Sequence, residues 1–157
     1  MADSDTLRIR RAEPSEAEAL AELSLRSKAH WGYDAAFMQL AREHLVMTPE
    51  LIARAAAYVA IRDGAVAGFY ALDMEDGRPT LADLWLEPRF IGLGIGRALW
   101  RHMLREAARL GYRTVHITSD PNAAEFYAKM GARPMGAVPS SGIPGRELPL
   151  FEADVPA

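Results

Sequence analysis

Cysteine is absent from the chain. That excludes disulfides, thiolate metal sites and a cysteine nucleophile in one step. Histidine is scarce, with 4 in all. No H-x-x-x-H occurs, so His44 and His102 have no second ligand at metal spacing, and no metal is expected. No apolar run approaches the ~20 residues that a membrane-spanning helix needs. The start, Met1-Ala2-Asp3-Ser4-Asp5, is acidic and lacks the apolar stretch of a signal peptide. A membrane partner is therefore not expected, and a soluble cytoplasmic protein is. No basic run appears, and 18 Lys and Arg against 21 Asp and Glu give a net charge of -3. A nucleic-acid partner is not expected on that balance. There is no internal repeat and no low-complexity linker, so residues 1–157 read as one domain with one core.

What is present centres on one stretch, Leu84-Trp85-Leu86-Glu87-Pro88-Arg89-Phe90-Ile91-Gly92-Leu93-Gly94-Ile95-Gly96-Arg97. Leu81 to Leu86 is apolar enough for a buried strand, and Pro88, with no N–H for the ladder, stops it. Gly92, Gly94 and Gly96 follow at every second position. From Ile95 apolar residues recur at helical spacing through Ala98, Leu99, Met103, Ala107 and Leu110. A strand, a glycine loop and a helix N-terminus make an anion site, most often for phosphate, because the first N–H groups of a helix lack internal partners. The spacing is G-x-G-x-G, not the dinucleotide G-x-G-x-x-G, and no Lys-Ser or Lys-Thr follows as in a nucleoside-triphosphate loop. A plain tight turn before a core helix is the alternative.

The rest of the chain supplies the frame. Leu7 to Arg11 alternates as a first strand would. Ser15 and Glu18 fit a capping box for a helix running to about Lys28. His30-Trp31-Gly32-Tyr33 interrupts with an aromatic loop that either faces a ligand or packs over the core edge. Asp34 caps a second helix, and Thr48-Pro49 starts a third. Tyr58 to Arg62, Asp63-Gly64 and Ala65 to Leu72 read as a hairpin. Asp76-Gly77-Arg78-Pro79 turns into the strand from Thr80 to Leu86. After the long helix, Gly111 ends it and Thr114 to Thr118 forms a strand. That strand lies parallel to the one before the loop because a crossover helix joins them. Asn122 to Gly131 is a short helix. Val138 and Leu148 to Glu152 give two closing strands, joined by Ser140 to Arg146. Pro134, Pro139, Pro144 and Pro149 predict that these are short or edge-like.

Two of these stretches resemble the signatures of the GNAT family, the Gcn5-related N-acetyltransferases. Gly94 and Gly96 fill the small positions of its acyl-CoA pyrophosphate loop, [RQ]-x-x-G-x-[GA], behind the strand end Leu84-Trp85-Leu86-Glu87-Pro88. Ile91 stands where the family has Arg or Gln; Arg89 or Arg97 is available to supply the charge. Asn122, Phe126, Tyr127 and Gly131 match the second signature, with Ala132 where an aromatic is usual. The resemblance implies an α/β (α+β) fold: a mixed, mostly antiparallel central sheet with a splayed parallel strand pair, and helices on both faces. It implies direct transfer of an acetyl or larger acyl group from acetyl-CoA, the co-substrate, to the amine of a small molecule or peptide. It leaves room for a homodimer.

Site residues follow from the same resemblance. Leu84 or Leu86 offers a backbone N–H to the thioester oxygen. Ile91, Gly92, Leu93, Gly94, Ile95, Gly96 and Arg97 wrap the pyrophosphate, and Asn122 and Tyr127 also contact the cofactor. Tyr127 is the acid toward the leaving thiolate, since a phenol of pKa about 10 suits a thiol of about 8.5; otherwise it is core, like Phe126. Asp83 is the base, with His116 and His30 as rivals; otherwise Asp83 points to solvent or pairs with an arginine. The acceptor would lie against His30, Trp31, Tyr33 and His116, with Ser140 to Arg146 alongside. Ile91 keeps open a second reading, a non-catalytic acyl-CoA sensor, and a third has some other phosphate ligand on the loop.

Overall fold

The computed structural model describes residues 6–140, 143 and 145–156. Seven strands form a sheet in the order β1-β2-β3-β4-β5-β7-β6. In chain order these are β1 (Arg8–Arg11), β2 (Ala56–Arg62), β3 (Ala65–Glu75), β4 (Arg78–Leu86), β5 (Thr114–Thr118), β6 (Arg133–Pro139) and β7 (Glu147–Asp154). The helices are α1 (Ala17–Ala29), α2 (Ala35–His44), α3 (Pro49–Arg54), α4 (Ile95–Arg109) and α5 (Ala124–Lys129). β4 and β5 pair in parallel, with Thr80 opposite His116, as a crossover through α4 requires. β1–β2, β5–β7 and β6–β7 are antiparallel. Asp63-Gly64 and Asp76-Gly77 make the two hairpin turns, all four residues having positive φ (53°, 74°, 52° and 75°). That is the backbone of a type I′ turn, and its twist matches that of the strands it joins.

Two compact units share the chain. The first comprises the residues up to Ala71 and Asp83–Leu99. Its core gathers Leu20 and Leu23 of α1, Ile52 of α3, Val59 of β2 and Phe69 of β3, all buried, with Trp85 packed at the margin. The second comprises Leu72–Ala82 and Trp100–Ala157. There Trp100, Met103, Val115, Ile117, Tyr127, Phe151 and Ala153 are buried. Each such large side chain contributes about 1.5–3 kcal/mol by leaving water.

Three expectations are corrected. The N-terminal cap is not Ser15 with Glu18. A 3-10 turn over Pro14–Glu16 precedes α1, and the Glu16 carboxylate accepts from the Glu13 N–H at 2.8 Å. Arg10 grips both Glu16 oxygens at 2.9 and 3.0 Å, which holds the box two residues early. β3 runs on to Glu75 rather than stopping at Leu72. β7 is no edge strand but sits between β5 and β6, while β6 forms the edge. Pro149 is tolerated there because its carbonyl faces Ser119 N–H at 2.8 Å, just past the last β5 pair, Thr118 with Leu150. Its missing N–H falls where that ladder has ended. Met1 to Asp5, Ser141, Gly142 and Pro144, which entered the expectations above, lie outside the described residues.

Candidate active site

The loop after β4 starts from a fixed strand end. Glu87 N–H donates to the Ala67 carbonyl at 2.8 Å, and Pro88–Phe90 makes one 3-10 turn closed by Phe90 N–H to Glu87 O at 2.9 Å. Phe90 is buried and anchors the turn from below. Arg26 of α1 holds Glu87 through two contacts, 2.7 and 2.8 Å. That guanidinium keeps the Glu87 carboxyl below the ordinary glutamate range, against a smaller opposing effect of burial.

Beyond the turn the chain turns bare. Gly92 and Gly94 have φ of +88° and +81°, and a Cβ on either would meet nothing within 4 Å. Both facts matter. Positive φ favours glycine, and open space above the backbone lets a ligand reach its amides. Gly94 O accepts the Ala98 N–H at 3.1 Å, so α4 begins at once and its unpaired first amides belong to the same bend. Gly96 is already inside α4 and buried. Ile91 and Leu93 are exposed to 38% and 52%. The curvature therefore comes from glycine backbone, while the larger side chains stand outward. Arg89 lies over the Phe90 ring at 4.2 Å, and Arg97 is exposed.

The end of β4 is tightly held from β3. A Cβ on Gly68 would lie 2.7 Å from both the Trp85 carbonyl oxygen and Leu86 Cδ2. Alternation along β4 then puts Asp83 and Trp85 on one face, and Leu84 and Leu86 on the other. The indole Nε1–H of Trp85 donates to Asp83 Oδ1 at 3.1 Å. Against the Trp85 ring, 5.8 Å from its centroid, lies the ammonium of Lys28, which also stands over Tyr33 at 5.3 Å and Phe37 at 5.4 Å. Tyr33 and Phe37 stack face to face, with centroids 3.9 Å apart. His30 meets Trp31 edge-on, centroids 5.4 Å apart, and Trp31 is 46% exposed. The aromatic loop thus divides: Tyr33 joins a cluster with α1 and β4, while Trp31 faces outward.

The remaining sequence-predicted residues lie in the second unit. His116 Nε2 is 3.2 Å from Glu152 Oε2 across the β5–β7 pair, and Arg133 binds that same carboxylate at 2.7 Å and also Asp154. Asp120 caps the turn before α5 through Asn122 N–H at 2.8 Å, and Arg146 pairs with Asp120 at 3.1 Å. Asn122 itself is exposed. Tyr127 is 6% exposed, with its ring 5.8 Å from Trp100, 5.3 Å from Phe126 and 5.9 Å from Phe151. Among the described residues no cluster of three or more His, Asp or Glu could hold a metal ion. Nor is any described helix long and apolar enough to cross a membrane.

The sequence profile of the Acetyltransferase (GNAT) family matches residues 17–132, which include the glycine loop and the turn into α5. The chain belongs to the GNAT acetyltransferase family. This GNAT chain is similar to N-acetylaspartate synthetase from Rattus norvegicus and from Homo sapiens, each 34% identical over 100 residues. That match takes in 60% of this chain and 33% of each relative, so the chain spans about a third of the length of those curated proteins. Among solved structures it resembles a GCN5-related N-acetyltransferase from Rhodopseudomonas palustris, with TM-score 0.77, 20% identity and 96% of both chains covered. It also resembles PaiA N-acetyltransferase from Thermoplasma acidophilum in complex with coenzyme A, with TM-score 0.74, 18% identity and 95% and 99% of the two chains covered. These two likenesses show that the GNAT fold extends over 95–96% of the chain.

Lys28 and Phe37 join Tyr33 and Trp85 in a cluster that sequence reasoning passed over. A cation in the last turn of α1 suits the helix dipole and raised no question. The signal was its register: Leu20, Ser24, Ser27 and Lys28 are all buried, so the lysine continues the inward stripe.

Proposed function

We propose that this chain is an N-acyltransferase that moves an acetyl group from acetyl-CoA to the amine of a small molecule or peptide. The observation that carries the reading is the open backbone at Gly92 and Gly94, running straight into the first turn of α4, in a chain of GNAT sequence. Residues Ile91 to Arg97 offer amides and a partial positive charge to a diphosphate there. Acetyl-CoA supplies an activated thioester: the amine nitrogen bonds to its carbonyl carbon, the C–S bond breaks, and the thiolate leaves.

The chain's residues then have three tasks. A backbone N–H at Leu84 or Leu86 holds the thioester oxygen as it gains charge. Tyr127 gives its phenolic proton to the departing thiolate, with Asn122 at the cofactor's side. Asp83 takes the amine proton, its carboxylate steadied by the Trp85 indole; His116, beside Glu152, is the rival base, and His30 a third. The acceptor is assigned to His30, Trp31 and Tyr33, with His116 as a further candidate contact. The name of the mammalian relatives, enzymes that make an N-acetylated amino acid, favours a small acceptor over a protein. A cytoplasmic setting and a homodimer belong to the same proposal.

Release of free thiol from acetyl-CoA, measured against a panel of amines, tests it. Amine-dependent turnover is expected. Binding of CoA, seen as a raised melting point, with no turnover on any amine would replace it with the acyl-CoA sensor that the apolar Ile91 suggests. No shift with CoA would remove both.

A further inference from the structure

We propose that Arg26 and Glu87 are positioning residues for the transfer, their ion pair setting the loop assigned to the acceptor against the strand end from which the cofactor loop springs. The inference rests on the function proposed above and adds two residues to it. Neither meets a reacting atom; both act through the segments they hold. Glu87 follows the last residue of β4 and is fixed by backbone and side chain alike. Its N–H donates to Ala67 O at 2.8 Å, its carbonyl accepts the Phe90 N–H at 2.9 Å, and its carboxylate accepts from Nε and Nη2 of Arg26 at 2.7 and 2.8 Å. From there one 3-10 turn, Pro88–Phe90, leads to the bend at Gly92. Arg26 stands in the last turn of α1 and also serves twice: its guanidinium holds Glu87, while its carbonyl accepts the His30 N–H at 3.1 Å. The N–H groups of Trp31 and Gly32 then close onto the Lys28 and Ala29 carbonyls at 3.2 and 3.0 Å. The aromatic loop therefore opens from the residue that grips the strand end, 61 positions away in sequence.

The form of the contact decides what it does. The Arg26 side chain is 54% exposed and that of Glu87 17%. An ion pair with so much water on one side adds little to stability. A fork of two parallel N–H···O bonds nevertheless fixes the angle between its partners as well as their distance. Lys28, 5.8 Å from the Trp85 centroid, also joins α1 to β4, but as a point charge that sets no direction. The larger effect of the Arg26–Glu87 pair is therefore geometric. The amine is brought by one loop and the thioester by the other, and a misplacement of about 1 Å can cost 10²-fold in rate.

Arg26→Met and Glu87→Met, singly and together, test this in acetyl-CoA turnover with the best amine of the panel. Each single variant should lower kcat/KM for the amine about tenfold, part of the cost of a 1 Å misplacement. CoA affinity should stay within about threefold of the wild-type value, and the melting temperature close to it. The double variant should be no slower than either single one, because the pair acts as a unit. Arg26→Lys should recover little, since an ammonium cannot form the fork. Hydrogen exchange gives a reading that needs no turnover: with CoA added, Glu87→Met should speed exchange of the His30, Trp31 and Gly32 amides about fivefold. Unchanged kcat/KM in the single variants, losses that add in the double, or unchanged exchange at residues 30–32 would overturn the inference. Faster exchange there in a protein that turns over no amine would retain the pair's hold on the loop while removing the transferase reading.

Discussion

Gly68 offers a sharp test of how the active strand is held. Its φ is ordinary, so a side chain there is limited by space alone. A methyl group would sit 2.7 Å from the Trp85 carbonyl oxygen and from Leu86 Cδ2, and 3.3 Å from Leu99 Cδ1. Leu86 can swing its methyl aside, but the carbonyl is backbone and moves only with β4. Overpacking of this kind costs roughly 1–3 kcal/mol. The stiffer unfolded chain of an alanine variant returns about 0.4–1 kcal/mol. Gly68→Ala should therefore lose about 1–2 kcal/mol, or roughly 2–8 °C in melting temperature for a chain of this size. The same peptide plane carries the Trp85 carbonyl and the Leu86 N–H, so tilting one tilts the other. If that N–H holds the thioester oxygen, kcat should fall about tenfold, part of the 10²–10³ seen when such a donor is removed outright. Calorimetry and thiol release on the same samples read both effects, and adding Leu86→Ala should restore none of the stability, because the backbone clash remains. A Gly68→Ala protein that melts at or above the wild-type temperature would refute the account of the strand end.

Gly94→Val should abolish the CoA-dependent rise in melting point, since it puts a β-branched residue at φ +81° and fills the open bend; a retained shift would move the cofactor elsewhere. Tyr127→Phe should lower turnover about 10²-fold with little change in CoA affinity, the usual size for losing a general acid; unchanged turnover would take Tyr127 out of the mechanism. Glu87 has a folded carboxyl pKa lower than its unfolded one, so its pairing with Arg26 stabilises above the ordinary glutamate range of about 4.3 and fades as pH falls through the folded value. Glu87→Gln should accordingly cost up to about 1 kcal/mol at pH 7 and nothing in strong acid, as melting curves against pH will show.

Local chemistry was legible in the sequence; long-range partners were not. Asp63-Gly64, Asp76-Gly77, Asp34 and Thr48-Pro49 each act within a few residues, and each appears where the sequence placed it. The caps at Asp34 and Thr48 are made by their own side chains, to Phe37 N–H at 2.8 Å and Leu51 N–H at 3.1 Å. The shift from Ser15 to Glu13 and Glu16 needed Arg10, which reaches Glu16 from the preceding strand. The placing of β7 inside the sheet turned on where the β5 ladder stops, which proline counting does not reveal. Of the site, the bend at Gly92 and Gly94 was readable because glycine spacing encodes backbone directly. The aromatic cluster around Lys28 was not, because it is assembled from α1, the loop before α2, α2 itself and β4, distant stretches with no shared pattern.

The position of β7 has a consequence for how the second unit comes together. A strand that is late in the chain is wedged between two made earlier, and β5 and β6 have no partner in common without it. During synthesis both must wait, each with an open row of amides and carbonyls, until residues 147–154 leave the ribosome. That interval is when the nascent chain is most prone to pair with a neighbour, and β6, with two prolines and a break in register near Pro134 and Gly136, is poorly suited to doing so. The same breakers that leave this edge irregular would guard the chain while it waits.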